Sequence, residues 1–95
     1  MTHQAELTAA MRIINRGLAK GYTVSVNDGE EWTVKRSTDA HQVRDALQST
    51  DADLIRFRDT QGQSVGTIYF VWGNSPDEVV CDHSDNAAMN EIIGD

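Results

Sequence analysis

The reactive side chains of this sequence lie close together near its C-terminal end, where Cys81, Asp82, His83 and Asp85 fall within five residues. On a β-strand, Cys81 and His83 share a face, and a thiolate beside an imidazole is the beginning of a nucleophilic pair. Residues two apart on a strand are separated by about 7 Å, which is longer than the hydrogen bond of a Cys/His dyad. No oxyanion loop or nucleophile elbow adjoins them. We therefore expect Cys81 to be a small core residue beside a strand-end histidine.

Metal and phosphate motifs are also missing. The spacing of Cys81 and His83 matches no recognised zinc pattern, and the other histidines lie on separate elements. The acidic pair in residues 51–53 lacks the glycine and the distal glutamate of a calcium loop. Gly62 and Gly66 belong to a hairpin and a strand, so they do not form a strand-to-helix phosphate cradle. The sequence predicts no metal, no cofactor and no enzymatic activity.

Two arginines alternate with apolar residues in the segment from Asp53 to Arg58. If the next hairpin pairs Asp59 with Ser64, Arg56 falls opposite Thr67 and Leu54 falls opposite Tyr69. We expect Arg56 and Arg58 to pair with acidic groups on neighbouring strands. The alternative is that they bind a carboxylate or a phosphate in a bidentate fork.

The negative charge is concentrated at one end of the chain. The whole protein has 15 Asp and Glu against 8 Lys and Arg, a net charge of −7. Residues 1–75 are nearly balanced, whereas residues 76–95 contain six acidic residues and no Lys or Arg. Such asymmetry favours a partner with a basic surface, although a solvated edge that maintains solubility is the alternative. Direct binding to nucleic acid is not expected, because it requires basic side chains that neutralise phosphates.

An aromatic residue precedes this acidic segment. Trp72 stands at a predicted strand end before Gly73, and we expect it to be partly exposed as an aromatic anchor with an acidic rim. The predicted partner-binding residues are Trp72, Asp77, Glu78, Asp82, Asp85 and Glu91.

The elements that must position these residues follow from periodicity and capping signals. Three- and four-residue spacing of apolar residues predicts a helix over 3–20. Period-two alternation on either side of Asp28-Gly29 predicts a hairpin with a type I′ turn. Ser37, Thr38 and Asp39 are candidate N-caps for a short helix, and Ser84, Asp85 and Asn86 are candidate caps for the last one. Three strands are predicted between these helices, at residues 53–58, 64–72 and 78–83.

The sequence therefore predicts one α+β domain over residues 1–95, with a five-stranded, largely antiparallel sheet in the order αββαβββα. The run Val65 to Trp72 is apolar on both sides, which is typical of a central strand covered on both faces. Because three modest helices leave part of such a sheet uncovered, we expect an apolar patch that serves a homodimer or another partner.

Targeting signals and cross-links are not apparent. The longest continuous apolar run, Ile68 to Trp72, is far too short to span a membrane. The N-terminal residues do not read as a secretory or transit signal, so a cytoplasmic location is expected. A single cysteine forms no intramolecular disulfide, and the fold must depend on its core.

Two segments suggest a biological setting. The stretch GYTVSVNDGEEWTVKRSTD (residues 21–39) and the stretch VGTIYFVWGN (residues 65–74) resemble small acidic proteins encoded by bacteriophages and other mobile elements. The resemblance implies a factor for host takeover or counter-defence, a class that includes anti-CRISPR and anti-restriction inhibitors. It assigns no functional residues.

Together these features predict a non-enzymatic protein-interaction module, homodimeric, that binds a basic partner through its acidic C-terminal region. A sharper version treats the acidic face as a nucleic-acid mimic. The alternatives are an enzyme that uses Cys81 and His83, a small-ligand binder that uses Arg56, Arg58 and the sheet face, and a structural or assembly protein.

Overall fold

A computed structural model describes residues 3–94 of the chain. The helices and strands follow the order αββαβββα, which confirms the predicted fold class. They are α1 (Gln4–Ala19), β1 (Thr23–Asn27), β2 (Trp32–Ser37), α2 (Ala40–Ala46), β3 (Ala52–Arg58), β4 (Ser64–Val71), β5 (Val80–His83) and α3 (Ala87–Ile93). One 3₁₀ turn, Pro76–Glu78, precedes β5.

The strands form one antiparallel sheet in the order β2-β1-β3-β4-β5. The predicted register in the middle of the β3–β4 hairpin is confirmed, since Arg56 pairs with Thr67 and Leu54 pairs with Tyr69, but Ser64 pairs with Arg58 and not with Asp59 because the pairing is irregular after Phe57. β1 pairs with β3, although β2 and α2 lie between them in sequence. The sheet therefore depends on the pairing of strands that are distant in sequence as well as on hairpins.

The two shorter helices begin where the sequence supplies a side-chain cap, whereas α1 begins after His3 without one. Asp39 accepts a hydrogen bond from the backbone N–H of His41 at the start of α2, and Asn86 accepts one from Met89 at the start of α3. After α1, the chain turns at Gly21, whose φ of 90° suits glycine. No helix in residues 3–94 is long and apolar enough to cross a membrane.

The turn between β1 and β2 differs from the prediction. Four residues, 28–31, connect the strands, and only Gly29 among them has a positive φ. The Asp28 carboxylate accepts hydrogen bonds from the backbone N–H groups of Glu30 and Glu31, at 2.9 and 3.0 Å. These bonds, led by that from Glu31, lower the pKa of Asp28. A type I′ turn is therefore wrong here, because the aspartate organises a longer loop around its own side chain.

All three helices pack on one face of the sheet. Buried apolar residues of every helix join strand residues such as Val26, Ile55 and Phe70 in one core. Helix α1 approaches β3 closely at Gly17, where an added Cβ would lie 2.5 Å from the Phe57 ring. We refer to the opposite side of the sheet as the open face.

The open face corrects the expectation that β4 is covered on both sides. Along β4, Ile68 and Phe70 are fully buried, whereas Tyr69, which points the other way, is 41 % exposed. Within residues 3–94 no helix covers the open face, because all three helices pack on the other face of the sheet. Among residues 3–94, Tyr69 is the only large hydrophobic side chain that is exposed, and a wider apolar patch for a homodimer or another partner stays a prediction.

Candidate functional site

A groove on the open face surrounds the exposed Tyr69 ring. It has a volume of about 580 Å³, and we call it the Tyr69 groove; it is lined by Leu54, Thr67, Tyr69, Cys81, Asp82, His83 and Ser84. Tyr69 of β4 pairs directly with Asp82 of β5. Cross-strand partners project from the same face, so an apolar ring and a carboxylate lie side by side.

Four of the predicted acidic residues lie on the edge strand β5 or in the segments that flank it in sequence, and the turn with Asp77 and Glu78 also packs against α1. We call Asp77, Glu78, Asp82 and Asp85 the acidic edge, and all four are exposed. Asp77 and Glu78 lie in the 3₁₀ turn before β5, and Asp85 precedes α3. Within residues 3–94 none of the four forms an ion pair with a basic side chain. Their charge is therefore directed at solvent or at a partner.

Glu91 lies apart from this edge. It is on α3, where its carboxylate forms an ion pair and hydrogen bond with Lys20 at the end of α1. That hydrogen bond is the main cause of a raised pKa at Lys20. Glu91 therefore connects two helices, and its charge is already partnered. Asp95, the last acidic residue, lies outside the described residues.

Trp72 is not the exposed anchor that the sequence predicts. Its side chain is only 7 % exposed, and it stacks on Phe70 with ring centroids 5.7 Å apart. The residue continues the alternation of Ile68 and Phe70, so it points to the helix-covered face. Tyr69 is the exposed aromatic residue instead of Trp72. The alternation along β4 already places Tyr69 on the face opposite Ile68, Phe70 and Trp72.

The buried indole needs a hydrogen-bond acceptor, which Asp53 provides. Trp72 Nε1 donates to Asp53 Oδ2 at 2.9 Å, and the backbone N–H of Gln48 donates to the same oxygen at 2.9 Å. Burial raises the pKa of Asp53, while these two bonds oppose the rise. The other oxygen, Oδ1, is buried and has no hydrogen-bond partner in the described structure. This carboxyl therefore carries a desolvation cost.

A second buried carboxylate, that of Glu6, holds the loop before the acidic edge. Its two oxygens accept from the backbone N–H of Gly73 at 2.9 and 3.0 Å, and Oε1 also accepts from Asn74 at 3.0 Å. The sequence does not reveal this contact, because the residues around Glu6 show only the pattern of an amphipathic helix. It joins the first turn of α1 to the end of β4 and thereby fixes where the 3₁₀ turn begins.

Cys81 and His83 do not form a dyad. Cys81 is exposed, which corrects the expectation of a core cysteine, because it lies at an irregularity in the β4–β5 pairing. His83 Nδ1 lies 3.0 Å from the backbone carbonyl oxygen of Ser84. In the part of the chain that the structure describes, no hydrogen bond joins the thiol to the imidazole, and no three His, Cys, Asp or Glu residues cluster as a metal site.

The arginines of β3 also differ from expectation. Across residues 3–94, neither Arg56 nor Arg58 forms an ion pair. The Arg56 guanidinium lies over the Trp32 ring, 4.9 Å from its centroid, and Arg58 Nη1 donates to the carbonyl of Gly62 at 2.9 Å. Their neighbours on β1 and β4 are Thr23, Ser25, Thr67 and Ser64, which carry no charge. The predicted pairing with acidic groups on neighbouring strands is therefore wrong.

A small pocket beside these arginines completes the open face. It has a volume of about 170 Å³, and we call it the Ser25 pocket; it is lined by Ser25, Trp32, Lys35, Arg36, Arg56 and Arg58. The open face is thus basic on the β2 side and acidic at the β5 edge, with Leu54 and Tyr69 between them.

Comparisons with protein-family models, with curated proteins and with solved structures find no match to this chain.

Proposed function

We propose that this protein is a non-enzymatic interaction module that binds a protein with a basic surface through the Tyr69 groove and the acidic edge. The carrying observation is that Tyr69, an exposed aromatic residue, pairs across strands with Asp82, an exposed carboxylate in the same groove that forms no ion pair within residues 3–94. An aromatic side chain surrounded by polar groups is a frequent interface hot spot. The residues that bind are Tyr69, Asp82, Asp77, Glu78 and Asp85.

The charge distribution supports a basic partner. Carboxylates on an exposed edge raise the negative potential there and accelerate encounter with a positive surface. Because exposed charges are screened over about 10 Å at 0.1 M salt, binding should weaken as salt increases. Tyr69 contributes a contact of a different kind, since apolar burial is not screened.

The biological role that we propose rests on the resemblance of residues 21–39 and 65–74 to small acidic phage proteins. In this proposal the partner is a host nucleic-acid-binding or defence protein, which the module inhibits in the host cytoplasm. Such proteins present basic surfaces that bind phosphates, and an acidic edge competes for them. If the edge acts as a nucleic-acid mimic, duplex DNA will displace the module from its partner.

The test uses the protein and its variants as baits in host lysate. The captured protein is then purified, and its affinity for each variant is measured by calorimetry. Replacing Tyr69 with Ser should weaken binding about 30-fold, as expected for a hot spot. Replacing Asp77, Glu78 and Asp82 with Lys should weaken it by about tenfold or more and reduce its dependence on salt.

The control variant carries the same change in charge at a different place on the protein surface. Glu30 and Glu31 are exposed on the β1–β2 loop and Asp45 is exposed on α2, so the same triple reversal at these three residues should preserve binding. Equal binding by wild type and both groove variants would disprove the proposed surface. Sedimentation of the free protein tests the predicted homodimer, and a dimer that Tyr69→Ser dissociates would assign the groove to a second copy instead.

A further inference from the structure

We propose that the Ser25 pocket binds the phosphate group of a small phosphomonoester, a function separate from the protein partner proposed above. Four of the chain's eight Lys and Arg side chains line this pocket, and none of its lining residues is acidic. Like charges gathered without counterions repel each other, so an anion between them is favoured.

The pocket supplies hydrogen-bond donors as well as charge. Ser25 is only 7 % exposed, and its Oγ accepts from the backbone N–H of Arg36 at 2.9 Å. Among residues 3–94, the Ser25 hydroxyl proton has no acceptor of its own. A buried hydroxyl that lines a cavity with an unused donor is suited to an oxyanion in that cavity.

The arginines are held in place for such a contact. Arg56 lies over Trp32, and Arg58 is fixed by one hydrogen bond to Gly62, which leaves its other N–H groups free. A guanidinium whose position is already fixed loses little conformational entropy when it binds an anion in a bidentate fork.

The number of charges favours phosphate over carboxylate. A carboxylate brings one negative charge and two oxygens, whereas a phosphomonoester brings about −1.5 to −2 charges and three terminal oxygens at pH 7. The larger charge and oxygen count match four cations and a hydroxyl better. The pocket volume of about 170 Å³ equals roughly that of five or six waters, which accommodates a phosphate group.

The surroundings favour a small ligand over a nucleic-acid strand. The loop beside Trp32 carries Asp28, Glu30 and Glu31, and Asp82 lies across the same face of the sheet. A long polyanion that leaves the pocket meets these carboxylates, in a protein with a net charge of −7. A compact dianion touches only the pocket and avoids that repulsion.

The test is a titration of the ¹⁵N-labelled full-length protein, followed by its amide and arginine Nε–H resonances. The probes are inorganic phosphate, phosphoserine, a nucleoside 5′-monophosphate, acetate and a single-stranded 12-nucleotide DNA. The three phosphate probes should produce saturable shifts at Ser25, Arg36, Arg56 and Arg58, whereas acetate should bind at least about tenfold more weakly. Tighter binding of the nucleotide than of phosphoserine would identify a nucleotide as the source of the phosphate.

The variants separate this site from general charge effects. Lys35→Gln with Arg56→Gln should weaken phosphate binding by at least about tenfold, since two charge-assisted contacts are lost. Arg12→Gln with Arg44→Gln removes the same charge from the pocket between α1 and α2, on the opposite side of the sheet from the Ser25 pocket, and should change the affinity measured at Ser25 and Arg58 by less than about twofold. The labelled spectra show directly whether each variant is folded.

Three results would overturn the proposal. The first is no saturable shift with any phosphate probe in the wild-type protein, and the second is an equal loss of affinity in the control pair. The third is tighter binding of the 12-nucleotide DNA with shifts that extend across the whole open face, which would assign the surface to single-stranded nucleic acid.

Discussion

The indole N–H of Trp72 donates to Oδ2 of Asp53 at 2.9 Å, and this hydrogen bond lies inside the protein. It joins the residue after β4 to β3, on the face of the sheet that the helices cover. The two residues thus form a buried polar contact in which one acceptor oxygen serves two donors and the other oxygen serves none.

This arrangement predicts how stability depends on pH. Because burial raises the pKa of Asp53 in the folded state, the folded protein holds this proton more tightly than the unfolded chain. The contribution of Asp53 to the free energy of unfolding should fall as pH rises from about 3.9 through the raised pKa, and it should be constant above it. Each unit of pKa elevation corresponds to about 1.4 kcal/mol.

Urea unfolding between pH 4 and pH 8 checks this prediction with Asp53→Asn, which keeps an acceptor oxygen but has no carboxyl to ionise. Relative to wild type, the Asn variant should gain stability as pH rises. Asp51→Asn, at an exposed neighbouring site, is the control and should follow the wild-type curve. Parallel curves for wild type and Asp53→Asn would show that Asp53 has no raised pKa.

A second prediction concerns the contact between α1 and the sheet. Ala at position 17 improves helix propensity by about 1 kcal/mol, yet its Cβ would lie 2.5 and 2.9 Å from two ring carbons of Phe57. Gly17→Ala should therefore destabilise the protein by about 1–2 kcal/mol through overpacking.

Chemical denaturation of Gly17→Ala, Phe57→Leu and the double variant measures this contact as a coupling energy. In the Phe57→Leu background, Ala at position 17 should cost about 1 kcal/mol less, because the smaller side chain leaves room. Asn15→Ala, at an exposed position of the same helix, reports the effect of propensity alone. Additive effects at positions 17 and 57 would contradict the packing argument.

A third prediction uses the chain's single cysteine, which is exposed in the Tyr69 groove. A maleimide should label Cys81 in the folded protein, and the bulky adduct should weaken binding to the captured partner by about tenfold or more. Cys81→Ser, which adds no bulk, should bind like wild type. Normal affinity of the labelled protein would show that the partner does not contact this groove, whereas a loss of activity in Cys81→Ser alone would favour the thiol chemistry considered as an alternative.

Local signals in the sequence predict most of the fold. Asp39 and Asn86 cap helices where the pattern places candidate caps, and alternation around Arg56 and Tyr69 predicts the β3–β4 register. These features depend on neighbours in sequence, such as a side-chain acceptor beside free N–H groups. The sequence predicts these features because the residues that interact are also the residues that form the pattern.

The errors arise where the outcome depends on distant elements. Alternation shows that Trp72 and Tyr69 face opposite sides of β4, but which side is buried depends on where the helices pack. Exposure of Cys81 depends on an irregular pairing of a short edge strand. The Ser25 pocket combines three strands, of which β1 and β3 meet only after α2 has intervened. Tertiary placement therefore decides the candidate site, while local pattern decides its elements.

The clasp between Glu6 and the Gly73–Asn74 backbone spans 67 and 68 residues of a 95-residue chain. Lys20 with Glu91, and Arg16 with the carbonyls of Ile92 and Ile93, also join α1 to the last helix. During synthesis, α1 is made before these partners and meets them only after residues 73–93 have been made. Contacts of such long sequence separation slow folding. The contacts of α1 with Gly73, Asn74 and α3 therefore form late, after α1 can already pack on β1 and α2.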